Sequence, residues 1–202
     1  MSNPAQEAAA QPAAFAFTGE NRAKADKIIA KYPPGRQASA VIPLLHIAQH
    51  QGGGWLSRAA MDHVAEILEM APIRVYEVAS FYTMFNLQPV GKHVLEICTT
   101  TPCWLRGSDD IVKACEKRLG IGLGETTKDG AFTLREVECL GACVNAPMMQ
   151  IGDEYYEDLT PDSTTKLIDA LARGEHPKPG PQNGRTTSEP IGGPTTLTSM
   201  KS

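Results

Sequence analysis

The amino-acid sequence predicts an α+β protein, in which an N-terminal helical bundle precedes a small sheet covered by helices. Two observations favour this class. Between residues 18 and 88, apolar residues recur at helical spacing, and proline or glycine marks the segment ends. After residue 89, short strand-like runs follow in the order β-α-β-β-β-α. A chain of 202 residues is long enough for two small domains.

Four helical segments are predicted in the first part of the chain. "NRAKADKIIAKY" is amphipathic and stops at two prolines, and "SAVIPLLHIAQHQ" begins at Ser39 as a plausible cap and ends at "GGGW". Ser57 is expected to cap the third helix, which carries four apolar residues on one face: Met61, Val64, Ala65 and Leu68. Pro72 suits an early position of the fourth helix. Residues 1–17, rich in Ala, Pro and Gln, are expected to be disordered, and residues 18–88 to form the helical unit.

The second part reads as strands and two helices over residues 89–174. "HVLEIC" is a strand, and Ser108 is the expected cap of the helix that follows it. "AFTLREVEC" is a strand in which the alternation of apolar and polar residues breaks between Leu134 and Val137, which predicts a bulge there. "MMQIGDEYYED" is a hairpin with a Gly-Asp turn, and a last helix starts at Thr160. Residues 175–202 contain no aromatic residue and are dense in Pro, Gly and Thr, so this tail is expected to be disordered alone.

Composition excludes several classes of function. The formal net charge of −4 predicts no general attraction to nucleic acid or to anionic membranes. No apolar run is long enough to span a bilayer, so direct membrane insertion is not expected. The opening residues carry no positive n-region and no arginine, so neither a secretory signal nor a transit peptide is readable. The expected location is the cytoplasm of a bacterium, or the interior of an organelle after processing.

Four of the five cysteines form two close pairs, in "CTTTPCWLRGS" and "CLGACVNAP". Cys98 and Cys103 are separated by four residues, and Cys139 and Cys143 by three. Each pair begins where a predicted strand ends, so the two loops are expected to meet at one edge of the sheet. An odd number of cysteines in a reducing compartment argues against a disulfide framework and favours a metal.

The cysteine spacing leaves two kinds of metal site open. Four thiolates suit a tetrahedral zinc ion, although a four-residue gap is at the permissive edge for zinc. They also suit a [2Fe–2S] cluster, in which each close pair would hold one iron, and the spacing favours this interpretation. Thiol–disulfide exchange typically uses C-x-x-C, which is absent. A zinc-stapled interaction module therefore stays as the alternative of a different class.

Other candidate residues have simpler explanations. Cys115 lies on the apolar face of its helix and is expected to be a small buried hydrophobe. His46 and His50 are four apart on a helix but lack the glutamate of a metalloprotease motif. "GIGLGE" follows a helix instead of a strand, so it is not a dinucleotide loop. No catalytic triad and no paired carboxylates are recognised, so no independent active site is expected.

Four long segments resemble one known family: "YPPGRQASAVIPLLHIAQHQGGGWLS", "RVYEVASFYTMF", "PVGKHVLEICTTTPCWLRGSD" and "VECLGACVNAPMMQIGDEYYEDLTP". The chain is similar, over about residues 20–173, to the small [2Fe–2S] subunits of NADH:quinone oxidoreductase, which is respiratory complex I. The resemblance implies a thioredoxin-like ferredoxin domain after the helical bundle. It also implies that one [2Fe–2S] cluster is bound by four ligands: Cys98, Cys103, Cys139 and Cys143.

The resemblance also implies partners. Members of this family dock on a flavoprotein that binds FMN and NADH, and their cluster exchanges single electrons with the flavin. The implied enzyme is a proton-translocating NADH dehydrogenase, with further peripheral-arm subunits as neighbours, at the cytoplasmic face of the inner membrane or on the matrix side in an organelle. NAD-linked hydrogenases and formate dehydrogenases use related subunits and stay as alternatives. We expect the helical unit to dock the partner, although most of its aromatic residues Phe81, Tyr82 and Phe85 are expected in the bundle core.

Overall fold

The computed structural model describes residues 11–190, 192–193 and 195–196, and it divides into two compact units, Met1–Val90 and Gly91–Ser202. Each unit has a hydrophobic core of its own. Among the helices that are described, none is long and apolar enough to cross a membrane.

The first unit consists of helices: α1 (Gly19–Ile29), a 3-10 helix (Gln37–Ala40), α2 (Val41–Gln51), α3 (Arg58–Ile67) and α4 (Pro72–Phe81). The Ser57 side chain accepts a hydrogen bond from the Ala60 amide at 3.1 Å and caps α3 as predicted. The apolar face predicted for this helix is buried over its whole length. Pro72 occupies the start of α4, where the missing N–H leaves no helical bond unmade.

The predicted cap at Ser39 is wrong. Ser39 lies inside the 3-10 helix, and α2 follows directly from Ala40 without a side-chain cap. The reason is that the 3-10 helix continues directly into α2. A capping serine needs an extended backbone before the helix, and no such residue precedes α2.

Residues 11–17 pack on the helical unit, contrary to the expectation of disorder. The rings of Phe15 and Phe17 contact that of His63 edge to face, with centroids 5.8 and 5.3 Å apart, respectively. Gln51 donates to the Ala16 carbonyl at 2.8 Å. Two phenylalanines, the large apolar side chains of this Ala-rich segment, thus anchor it. The rest of the segment predicted to be disordered, residues 1–10, lies outside the described residues.

Only one of the three aromatic residues near the end of α4 is in the core. Phe85 is 5% exposed and packs against the ring of His46, whereas Phe81 is 77% exposed and Tyr82 40% exposed. The expectation that most of them are core residues is therefore wrong. The reason is that Val75 and Ala79 form the buried face of α4, and Phe81, two residues after Ala79, lies on the other face. Tyr82 follows the helix in an extended conformation, outside its periodicity.

The second unit is a five-stranded sheet with helices. Its elements are β1 (His93–Cys98), α5 (Thr101–Leu105), α6 (Ser108–Leu119), β2 (Phe132–Val137), a 3-10 helix (Cys143–Asn145), β3 (Met149–Ile151), β4 (Glu154–Glu157), α7 (Pro161–Ala172) and β5 (Gly180–Pro181). The strand order is β2-β1-β3-β4-β5, with β1 parallel to β2 and β4 parallel to β5. The hairpin β3–β4 is confirmed, because Ile151 pairs with Glu154 across the two-residue turn. Helix α7 begins at the Thr160 cap as predicted.

The bulge predicted in β2 is absent. Every residue of β2 pairs one to one with β1, from Phe132 opposite His93 to Val137 opposite Cys98. The alternation of apolar and polar residues breaks for another reason. Phe132 and Leu134 are buried on one face of the strand, while Glu136 on the same face is exposed. The core therefore covers only the first half of this edge strand.

The start of α6 also differs from the prediction. Gly107, in the left-handed region at φ 92°, is the cap residue, and Ser108 is the first residue of the helix. A short helix, α5, precedes it, so the chain turns between two helices at a residue with positive φ, and glycine adopts this conformation without strain. Cys115 is fully buried in the core of the unit, which confirms the simple interpretation of this residue.

The described part of the tail is ordered, in contrast to the disorder expected for residues 175–202. Gly180 and Pro181 pair with β4, and the Gln182 amide donates to the Glu157 carbonyl at 2.9 Å. Composition was misleading because this segment is held by backbone hydrogen bonds and a buried ion pair, which hydropathy does not report. Residues 191, 194 and 197–202 lie outside the described part of the chain.

Candidate metal centre

The parallel pairing of β1 with β2 brings the two cysteine loops to one edge of the sheet. Cys98 is the last residue of β1 and lies opposite Val137, the last residue of β2. Cys139 follows two residues later. Since parallel strands end on the same side, both loops leave from this edge, as the sequence predicts.

Cys98 is buried and surrounded by hydrogen-bond donors. Its sulfur lies 3.2 Å from the Thr100 hydroxyl, and the Leu140 amide also hydrogen-bonds it. Burial acts to raise the pKa of the Cys98 thiol, but the hydrogen bonds from Thr100, Cys103 and Leu140 outweigh it, so the pKa falls below its ordinary value. This environment favours a thiolate, the form that binds metals.

Cys103 lies on helix α5, where the sequence predicts a loop. Helix α5 begins at Thr101, with Pro102 in its first turn, and the Trp104 amide donates to the Thr100 carbonyl at 2.9 Å. Burial, and then the hydrogen bond and charge of Cys98, raise the pKa of Cys103 to about 12. The Met148 amide hydrogen-bonds the Cys103 sulfur and acts in the opposite direction. The surroundings of the inner sulfurs thus favour a charge on Cys98 and disfavour one on Cys103.

Cys139 and Cys143 are exposed, and their sulfur atoms are 3.4 Å apart. The Tyr155 hydroxyl, on β4, donates to the Leu140 carbonyl at 2.8 Å and holds the loop between them. The hydrogen bond to Cys139, with smaller contributions from burial and from the charges of Cys139 and Cys98, raises the pKa of Cys143. The second pair therefore interacts electrostatically with the first pair.

The four thiols are arranged two by two. The charge of Cys98 acts on both Cys103 and Cys143, so the two pairs are neighbours. A zinc ion needs all four thiolates around one point, whereas a [2Fe–2S] cluster needs two thiolates at each of two irons. The donor set and its division into pairs fit the cluster.

Sequence reasoning missed two of the residues that support the cysteines. Thr100 and Leu140 belong to the segments next to the cysteines, where donors to sulfur are expected, but the Met148 amide and the Tyr155 hydroxyl gave no signal, because their roles depend on the neighbouring strands. The other candidates are outside the site, as expected: His46 and His50 lie in the first unit on α2. The glycine-rich segment after α6 is a loop in which Gly122 donates to Glu125 at 2.7 Å.

Comparison with known proteins agrees with this geometry. The model of the family described as thioredoxin-like [2Fe–2S] ferredoxin matches residues 25–172, most of the chain. This chain belongs to that family. Two similar relatives are NADH dehydrogenase [ubiquinone] flavoprotein 2, mitochondrial, of Dictyostelium discoideum and an NADH-quinone oxidoreductase subunit of Rickettsia conorii. The first is 57% identical over 91% of this chain and 74% of its own length, and the second is 61% identical over 78% and 94%.

A solved structure shows the same fold at lower identity. The H2-reduced NAD+-reducing [NiFe]-hydrogenase is 21% identical, with a TM-score of 0.57, over 67% of this chain and 23% of that chain. At this identity the likeness supports the fold and nothing further. The family and the relatives confirm the cofactor, a [2Fe–2S] cluster, and the predicted function, that of an electron-transfer subunit of an NADH:quinone oxidoreductase. The chain thus works in a complex with other subunits.

Proposed function

We propose that one [2Fe–2S] cluster is bound by four residues, Cys98, Cys103, Cys139 and Cys143, with each close pair on one iron. The observation that carries this assignment is the two-by-two arrangement of four thiols at the edge where β1 and β2 end. We further propose that the cluster exchanges electrons with the FMN of an NADH-binding flavoprotein.

The residues around the cysteines contribute to this function by stabilising negative charge on the sulfurs. A bound [2Fe–2S] cluster supplies one-electron redox chemistry, which a hydride donor such as NADH lacks. Four thiolates concentrate negative charge at the site, and amide donors reduce the energetic cost of that charge. The amides of Leu140 and Met148 and the Thr100 hydroxyl are directed at the inner sulfurs and perform this task. They make the site easier to reduce than the same thiolates would be without donors.

Exposure indicates the side from which electrons reach the site. Cys139 and Cys143 are accessible, whereas Cys98 and Cys103 are buried. Three apolar side chains next to the cysteines are also exposed: Trp104 at 56%, Leu105 at 69% and Val144 at 69%. An apolar rim around an accessible redox site is typical of a surface that a partner covers, which excludes water and shortens the electron-transfer distance. We assign this rim to contact with the flavoprotein.

The first unit offers a second apolar surface. Ile73, Tyr76, Phe81, Tyr82 and Met84 are all exposed on α4 or just after it. This supports a docking role for the helical unit, toward the flavoprotein or other peripheral-arm subunits. The complex would lie at the cytoplasmic face of a bacterial inner membrane, or on the matrix side in an organelle.

Metal and sulfide analysis of protein purified without oxygen tests the proposal. We expect about two irons and about two acid-labile sulfides per chain, and a paramagnetic signal after reduction. About one zinc per chain and no iron would establish the zinc-stapled module instead. Co-purification then identifies the complex: a flavoprotein with quinone-linked subunits supports the proposal, whereas hydrogenase or formate dehydrogenase subunits contradict it.

A further inference from the structure

Arg185, in the tail, makes a buried ion pair in the second unit. Its Nε donates to Asp158 Oδ2 at 2.7 Å and its Nη2 to Asp158 Oδ1 at 2.8 Å, and each side chain is only 6% exposed. Two-point pairing of this kind is the strongest arrangement of arginine with a carboxylate, and burial fixes its geometry. The same guanidinium also donates to the Val144 carbonyl at 2.9 Å and to the Glu189 carbonyl at 3.0 Å.

These contacts reach the loop that carries Cys143. Val144, which accepts from Arg185, is the next residue in the chain. The Asn145 side chain donates to the Thr187 carbonyl at 2.9 Å and to the carboxylate of Glu157. The backbone of Asn145 accepts from the Asp158 amide at 2.8 Å. The tail therefore holds the two residues that follow Cys143.

Besides the tail, the loop is held by Glu157 and Asp158 at Asn145 and by Tyr155 at Leu140, and none of these three contacts Cys143 or Val144 through a hydrogen bond that is described. Cys143 opens a 3-10 helix of three residues, of which only Asn145 is buried. Such a turn, with few buried apolar contacts, opens easily unless something fixes it. Asp158 and Thr187 are non-glycine residues in the left-handed region, at φ 51° and 47°, a strained conformation that persists only when surrounding contacts impose it. Both residues belong to the network that holds the loop.

We propose that residues 180–189 form a C-terminal clamp that fixes the position of Cys143, with Arg185 as the positioning residue. The clamp lies beyond residues 25–172, the part that the family model matches. The inference rests on the proposed role of Cys143 as a ligand. Without the clamp, the loop with Cys139 and Cys143 would open more often, and the iron proposed to be bound by these two residues would be lost more readily.

The test compares Arg185→Met with Arg173→Met in the full-length, cluster-loaded protein. Arg173 is a matched control, because it also pairs with a carboxylate, that of Glu175 at 2.6 Å, but on an exposed part of the same unit. Amide hydrogen exchange over residues 139–146 reports loop opening, and bleaching by an iron chelator reports cluster loss. For Arg185→Met we expect both rates to rise about tenfold. For Arg173→Met we expect the wild-type rates.

Arg185→Lys provides a second variant if Arg185→Met does not fold. Lysine keeps the charge next to Asp158 but cannot donate to Asp158 and Val144 with the fork geometry of arginine. We expect it to fold and to speed exchange within residues 139–146 and the clamp, but not in the rest of the second unit. Unchanged exchange there, or exchange that rises equally throughout residues 91–174, would overturn the clamp. Wild-type protein that binds no iron would instead overturn the proposed function, and exchange in the loop would still report on the clamp.

Discussion

Burial divides the four cysteines of the proposed centre into an inner and an outer pair. The inner pair lies at the end of β1 and in α5, where amide and hydroxyl donors reach its sulfurs, and the outer pair lies on a loop held by Tyr155. The fifth cysteine, Cys115, is equally buried but lies in the apolar core, and burial raises its pKa to about 12. The three buried cysteines of this unit thus fall into two different surroundings.

This contrast gives a matched pair of substitutions. Cys103→Ser removes a proposed thiolate ligand, so we expect iron content to fall to half or less of the wild-type value. Cys115→Ser makes the same chemical change in the core, where the new hydroxyl has no evident partner. It should cost about 1–3 kcal/mol in the free energy of unfolding but leave iron content unchanged. Equal iron loss in both variants would contradict the ligand assignment.

His93, at the start of β1, links stability to pH. Burial, and then the charges of Lys92 and His176, lower the pKa of His93 below its ordinary value of 6.5. The unfolded chain therefore takes up a proton before the folded protein does as the pH falls. We expect the free energy of unfolding to decrease as the pH is lowered through 6.5 toward the folded-state pKa, and to level off below it.

Denaturant titrations at a series of pH values measure this effect. Replacing the histidine with glutamine (His93→Gln) removes the titrating group and should flatten this part of the profile. A profile that keeps the full wild-type slope in His93→Gln would show that another group is responsible.

At the scale of elements, the pairing of β1 with β2 depends on a glycine. A Cβ on Gly91 would lie 2.7 Å from the carbonyl carbon of Phe132 and 2.9 Å from the amide nitrogens of Phe132 and Thr133. All of these are backbone atoms of the neighbouring strand, which cannot move aside separately. The Gly91 amide also donates to the Thr133 hydroxyl at 2.7 Å. The close approach of the two strands at this point therefore requires glycine.

Gly91→Ala should destabilise the second unit by about 1–3 kcal/mol, because it disturbs the β1–β2 pair at the end opposite the cysteine loops. Gly122→Ala is the control, since its Cβ would meet only the flexible carboxylate of Glu125 at 3.6 Å. Chemical denaturation of both variants measures the difference. The close approach would be refuted as a constraint if Gly91→Ala were as stable as Gly122→Ala.

At the scale of the whole molecule, each unit has its own core and its own exposed apolar surface. Side chains such as Trp104 and Phe81 contribute little to the stability of the free chain, because they are mostly exposed. Several exposed apolar side chains next to one another are explained by a complex, in which a partner buries them. Stability and assembly should therefore depend on different residues.

Trp104→Ala tests this separation. We expect binding to the co-purifying flavoprotein to weaken about tenfold or more, because buried tryptophans are frequent hot spots, while the free energy of unfolding of the isolated chain changes little. Leu123→Ala, at another exposed apolar residue of the second unit, should leave binding unchanged. Pull-down and titration calorimetry measure the affinity. Undiminished binding of Trp104→Ala would exclude the rim as a contact surface.

Local patterns predicted much of this structure because their causes are local. Caps at Ser57 and Thr160, the hairpin turn after Ile151 and the apolar face of α3 all depend on residues within a few positions of one another. The cysteine spacing likewise indicated a metal site and favoured a [2Fe–2S] cluster over zinc, since each pair is a short-range motif. Errors occurred where a neighbouring element decides the outcome, as in the 3-10 turn at Ser39 and the strand face at Glu136.

The sequence by itself determined the two-part architecture and the cysteines proposed to form the centre, because periodicity and cysteine spacing are carried within short segments. Only the tertiary structure decided which cysteines are buried, which amides reach their sulfurs, and that a tail without apolar periodicity packs against the Cys143 loop. The physical reason is that hydrogen bonds and ion pairs between distant segments, such as that of Arg185 with Asp158, depend on directions in space that no local pattern records.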